Sequence, residues 1–105
     1  MVNVLEEKKG EDILLLDIHE VSDFSDFFVI CSGTSVRMLD TLADEVMSFL
    51  KTKYQFQGRK EGIAQEGWVL IDFGDIIVHL FSPDRRNYYR LEELWGQGKV
   101  LLHLH

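Results

Sequence analysis

Residues 67–82 most restrict what this chain can fold into. Two apolar arms, Trp68 to Phe73 and Ile76 to Phe81, flank the pair Gly74-Asp75. A two-residue hairpin turn needs positive φ, which glycine adopts without steric cost, and Gly in the first central position meets that need. The turn then sets the register. Phe73 faces Ile76, Asp72 faces Ile77, Ile71 faces Val78, Leu70 faces His79, Val69 faces Leu80, and Trp68 faces Phe81. Alternation sorts these residues into two faces. Val69, Ile71, Phe73, Ile76, Val78 and Leu80 form a wholly apolar face that is expected to lie on the core. Trp68, Leu70, Asp72, Ile77, His79 and Phe81 form the other. A carboxylate and an imidazole among large apolar groups suit neither a dry core nor a solvent surface. Two readings stay open: a helix covers this face with its polar groups at the margin, or the face binds a partner. Both arms are too apolar for bare edges, so the hairpin belongs well inside a larger sheet.

The rest of the chain supplies that sheet and its cover. Residues 2–9 read as a short helix with Val4 and Leu5 as its apolar residues and Gly10 as its cap. Residues 12–18 are a nearly continuous apolar run, expected as a strand covered on both faces. A polar connection, 21–26, leads to a second buried strand at 27–33. Gly33-Thr34-Ser35 breaks that strand and opens a helix, with Thr34 or Ser35 as N-cap. Val36, Leu39, Leu42, Ala43, Val46, Phe49 and Leu50 follow at helical spacing, and Lys51 and Lys53 complement the dipole of the last turn. Residues 54–66 are polar, with a short edge strand near Arg59–Glu61. Ser82-Pro83-Asp84 starts another helix, predicted to run through Tyr88, Tyr89, Leu91, Leu94 and Trp95 to Gly96. The tail from Lys99 to His105 alternates and either adds a strand or stays loose. The expectation is one α/β domain over residues 1–105, a mixed sheet of about five strands flanked by helices.

Charge and composition narrow the function. With 18 acids against 11 bases the net charge is −7, which argues against direct nucleic-acid binding, since gripping phosphates takes a basic surface. The acidity either favours a basic partner or only keeps the protein dispersed. The single cysteine, Cys31, permits no intramolecular disulfide and lies in an apolar run, so a buried thiol is expected. No run approaches the ~20 apolar residues of a membrane span. Met1 to Lys9 lacks the apolar stretch of a secretory signal, and a cytoplasmic location is expected.

Catalytic patterns are weak. A Gly-Ser turn such as Ser32 to Ser35, followed by a helix, would suit an enzyme of the nucleotidyltransferase type, but that chemistry also needs paired metal-binding carboxylates. Asp72 and Asp75 flank or occupy the hairpin turn, and Asp23 and Asp26 sit in a loop, so they read as turn-forming, solvated acids. The histidines, His19, His79, His103 and His105, lack zinc-ligand spacing. No cofactor or metal is expected.

Several blocks, taken in order, resemble the Iojap family. They are Asp12-Ile13 leading to Leu16-Asp17-Ile18; Ser25 through Gly33; Ser35 with Arg37; Glu61-Gly62; Gly67 through Phe81; and Tyr88-Tyr89-Arg90-Leu91-Glu92-Glu93-Leu94-Trp95. The resemblance runs from about Lys9 to Trp95. It implies a nucleotidyltransferase-like fold without catalytic acids and a ribosomal silencing role. Family members bind the large ribosomal subunit through its fourteenth protein (L fourteen), block joining of the small subunit sterically and lower translation when nutrients are scarce. They commonly form homodimers. Read together with the hairpin, the resemblance makes Trp68, Leu70, Asp72, His79 and Phe81 the candidate partner-binding residues, with Tyr88 and Tyr89 nearby. The alternative is a nucleotidyltransferase-like enzyme using Ser32 to Ser35 and Asp72.

Overall fold

The computed structural model describes residues 2–20, 25–85 and 99–104. Its elements in chain order are α1 (Val2–Glu7), β1 (Glu11–Asp17), β2 (Phe27–Ser32), α2 (Val36–Tyr54), β3 (Arg59–Ile63), a 3₁₀ turn (Ala64–Glu66), β4 (Trp68–Asp72), β5 (Ile76–Phe81) and β6 (Lys99–Leu104). The strands form one six-stranded sheet in the order β3-β4-β5-β2-β1-β6. All its pairings are antiparallel except β2 with β5, which run parallel. The hairpin β4–β5 lies inside the sheet, as its apolar arms require.

The hairpin register follows the turn. Trp68 pairs with Phe81, Val69 with Leu80, Leu70 with His79, Ile71 with Val78 and Asp72 with Ile77. Gly74 takes φ +89°. The Phe73 N–H donates to the Ile76 carbonyl at 2.9 Å. The Asp72 carboxylate braces the turn by accepting the Gly74 N–H at 2.8 Å. Ser25 ties the start of β2 to the same turn, its hydroxyl donating to the Gly74 carbonyl at 2.8 Å.

Helix α2 starts at Ser35, whose side chain accepts the Met38 N–H. Leu39, Leu42, Ala43, Val46 and Leu50 are buried. They pack with Leu5 of α1, Ile13, Val29 and Cys31, and with the apolar hairpin face at Val69, Ile71, Val78 and Leu80. Val36 departs from the expected stripe: it opens the first turn of α2 and is exposed. Phe49 is only partly buried against the core.

The first helix ends earlier than the sequence reading gave it. Helix α1 ends at Glu7, and the left-handed residue that follows it is Lys9 (φ 67°), not Gly10. Gly10 is needed for closeness instead, since a Cβ there would lie 2.5 Å from the Cys31 sulfur. The tail adds a sixth strand: β6 pairs with β1, where the apolar run offers an edge. Of the helix expected after Ser82, only 83–85 are described, with the Ser82 hydroxyl accepting the Arg85 N–H at 3.3 Å. Tyr88, Tyr89, Leu91, Leu94 and Trp95 lie outside the described residues.

Candidate partner-docking face

The mixed hairpin face continues across four strands. Leu14, Leu16, Phe28, Ile30, Ile77 and Phe81 form a second buried apolar cluster with Ile18, and Trp68 and Leu70 pack against it half-buried. The sheet is thus apolar on both sides, and the two faces of the hairpin serve two cores. Aromatic rings line up along this second side. Trp68 stacks on Phe81 (6.3 Å between centroids, 15° between planes) and His79 lies parallel to Phe81 (5.9 Å, 1°). Phe28 meets the His79 ring edge-on at 4.9 Å.

His79 is a buried base whose ring nitrogens have no hydrogen-bond partner among the described residues. Burial pushes its pKa down to about 4, so the imidazole is neutral at physiological pH and packs as a polarizable ring. Among the described residues no hydrogen-bonding group touches either ring nitrogen.

His79 and Phe81 are the most buried of the described candidate residues. At 6% and 2% exposure they form the floor of the face. The reason is position: β5 lies between β4 and β2, whereas β4 lies one strand from the sheet edge. Trp68, Leu70 and Asp72 remain half-buried and accessible. Edge strand β3 extends them. Ile63 pairs with Trp68, Glu61 with Leu70 and Arg59 with Asp72, and directly paired residues share a face. All three β3 residues are exposed, Ile63 at 53%. Arg59 comes within 3.9 Å of the Asp72 carboxylate. The accessible strip is therefore Ile63, Trp68 and Leu70 with Glu61, Asp72 and Arg59 around them. The edge strand was legible near Arg59–Glu61, but nothing in the sequence joined Ile63 or Glu61 to the strip. Their strand is five residues long and wholly exposed, so it carries no apolar alternation to read.

The alternative catalytic set does not assemble. Ser32 lies beside Phe81, and Phe81 pairs with Trp68, whereas Asp72 is at the far end of β4. Four residues of strand put roughly 13 Å between the Gly-Ser turn and Asp72. Ser35 already caps α2, and Asp72 already holds the hairpin turn. Among the described residues no three His, Cys, Asp or Glu side chains converge as metal ligands. No helix among them is long and apolar enough to cross a membrane.

The sequence profile of the family described as "Ribosomal silencing factor during starvation" matches residues 1–103. The chain belongs to the ribosomal silencing factor family. It is 44% identical to the ribosomal silencing factor of Halalkalibacterium halodurans over 95% of this chain and 86% of that one. It is 40% identical to that of Bacillus subtilis over 90% and 80%. A chloroplastic Iojap protein of Arabidopsis thaliana is 28% identical over 93% of this chain and 41% of its own length. Among solved structures, a crystal structure of a Chromobacterium violaceum protein superposes with a TM-score of 0.85 at 35% identity, covering 90% of this chain and 79% of that one. The Iojap resemblance and the mixed α/β fold stand on these matches.

Proposed function

We propose that this silencing factor acts in the cytoplasm by docking, without catalysis, on the fourteenth protein of the large ribosomal subunit. The bound factor blocks joining of the small subunit and so lowers translation when nutrients are scarce. The observation that carries the reading is the accessible strip at the β3–β4 margin. Trp68 and Leu70 are half-buried anchors resting on a rigid ring floor, the arrangement in which aromatic residues contribute most to binding. Ile63 widens the apolar centre, and Glu61 and Asp72 add acids that suit a basic ribosomal protein. Tyr88 and Tyr89 are assigned as further contacts from the sequence. The net charge of −7 points the same way.

The test combines thermal stability with co-sedimentation on isolated large subunits. Ile63→Asp disturbs an exposed side chain, so its fold is retained while binding falls. Trp68→Ala loses about 2 kcal/mol or more of binding, roughly 30-fold. Asp72→Lys reverses a charge at the docking margin. If Ile63→Asp, Trp68→Ala and Asp72→Lys keep their stability and still sediment with the large subunit as the parent does, the strip is not the docking site.

A homodimer has a candidate surface at the other sheet edge, where Leu101 and Leu102 of β6 are 45% and 37% exposed. Sedimentation velocity of a Leu102→Lys variant tests it: loss of a dimer present in the parent supports this edge, and an unchanged dimer moves the interface elsewhere.

A further inference from the structure

The strongest feature outside the docking strip is where α2 ends and β3 begins. Residues 51–60 read Lys-Thr-Lys-Tyr-Gln-Phe-Gln-Gly-Arg-Lys: four bases and no acid, in a chain whose net charge is −7. Two large aromatics are interleaved with these bases, and both are open to solvent. Tyr54 is 52% exposed and Phe56 is 49% exposed. Their rings stack, 6.0 Å apart with planes 29° from parallel. Phe49 meets Tyr54 edge-on at 6.0 Å, and the Lys53 ammonium sits 5.4 Å from the Phe49 ring centre.

The backbone fixes this arrangement. Gln55, the residue after the helix, is left-handed at φ 60°, and its N–H bonds back to the last turn. The Phe56 N–H donates to the Leu50 carbonyl at 3.1 Å, folding Phe56 back onto Tyr54. A non-glycine residue at positive φ carries a strain that glycine would avoid, yet the turn is kept and the rings stay outside the core. Beside the rings a groove of about 860 Å³ runs between α1 and α2. Asn3, Ser48 and Thr52 line it with uncharged hydrogen-bonding groups, and Val4 and Phe49 line it with apolar surface.

We infer that this corner is a contact site for single-stranded RNA, with bases stacked on Tyr54 and Phe56, a base admitted to the groove, and phosphates drawn to Lys51, Lys53 and Arg59. Stacking platforms flanked by cations are how proteins hold single strands without reading sequence. An acidic peptide would satisfy the lysines but would leave the exposed ring faces of Tyr54 and Phe56 unused, which decides between the two. The acidic remainder of the chain keeps the contact weak. Glu7, Lys8, Glu45 and Lys53 also line the groove, and Lys8 lies 3.8 Å from Glu45, so the phosphates belong with Lys51, Lys53 and Arg59, away from that pair. Arg59 and Lys60 face Asp72 and Asp40 at 3.9 and 3.5 Å, and such exposed pairs are readily exchanged for a phosphate. The choice of RNA over DNA rests on the family's ribosomal setting, and the site shares only Arg59 with the docking strip.

Fluorescence anisotropy of the full chain with a labelled uridine dodecamer tests it at low salt. Binding with a Kd below about 10⁻⁴ M is expected. Neutralising about three phosphates gives a log–log salt slope near −2. Tyr54→Ala and Phe56→Ala each weaken binding about tenfold, and Lys51→Gln with Lys53→Gln flattens the salt slope. Thermal midpoints of these surface variants monitor the fold. No binding, binding indifferent to both aromatic substitutions, or equal binding of a poly-glutamate peptide overturns the inference. Because Ile63→Asp leaves this corner intact, loss of large-subunit binding in that variant with RNA binding retained separates this site from the docking strip.

Discussion

Replacing His79 by leucine converts the neutral-histidine reading into a measured pH dependence. The folded imidazole has a pKa of about 4 against an ordinary 6.5, because burial disfavours its charged form. The unfolded chain therefore binds a proton at a pH where the folded chain does not. The parent has its full stability above pH 6.5 and loses it as pH falls toward 4, where the loss levels off. At ~1.4 kcal/mol per pKa unit the full loss is about 3 kcal/mol, with about 1.4 kcal/mol gone by pH 5.5 and about 2 by pH 5. His79→Leu removes two ring nitrogens that have no partner among the described residues and keeps an apolar side chain against Phe28 and Phe81. At pH 7.5 the variant is expected to match the parent or exceed it by up to about 1 kcal/mol. The assay is urea unfolding of both proteins at half-unit steps from pH 7.5 to 5. Eighteen acids titrate in both chains and cancel in the difference. The gap between variant and parent should widen by about 2 kcal/mol over that range. A gap constant to within ~0.5 kcal/mol would refute the argument, because the imidazole would then be hydrated or hydrogen-bonded in the folded protein.

Three further outcomes follow from packing and backbone. Gly10→Ala places a Cβ 2.5 Å from the Cys31 sulfur and 3.0 Å from the Leu5 carbonyl, so denaturant unfolding should show a loss of about 1–3 kcal/mol. Leu42→Ala empties a fully buried site between α2 and the sheet and should cost about 2–5 kcal/mol in the same measurement. Gln55→Gly relieves the left-handed residue after α2, and a gain of roughly 1 kcal/mol is expected by thermal or urea unfolding. A loss there would mean that the Gln55 side chain contributes more than its backbone strain costs.

The hairpin was legible because its information is local. A glycine at the turn pins the register, and alternation then assigns every side chain to a face. Both faces of β4–β5, the internal position of the hairpin, the α2 stripe from Leu39 to Leu50 and the edge strand at Arg59 were all readable from residues within one or two elements. The six-strand count was not, because β6 pairs with β1 across nearly ninety residues of chain, and an alternating tail looks the same whether or not an edge awaits it. Residue types also left the mixed face undecided between core and docking surface. Nothing local divides its six hairpin residues into buried and accessible sets. Tertiary position separates them: β5 sits between two strands and buries His79 and Phe81, while β4 sits beside the short exposed β3 and leaves Trp68, Leu70 and Asp72 reachable. Gly10 shows the same division. The sequence identified a glycine that the chain needs after its first helix, but only the packed structure shows that the need is for room beside Cys31 and that the left-handed turn falls on Lys9. What the sequence by itself determined is the class of fold, the pairing within the hairpin and the family. Which apolar side chains are buried and which stay accessible depends on the neighbours that distant segments bring, and only the tertiary structure decided that.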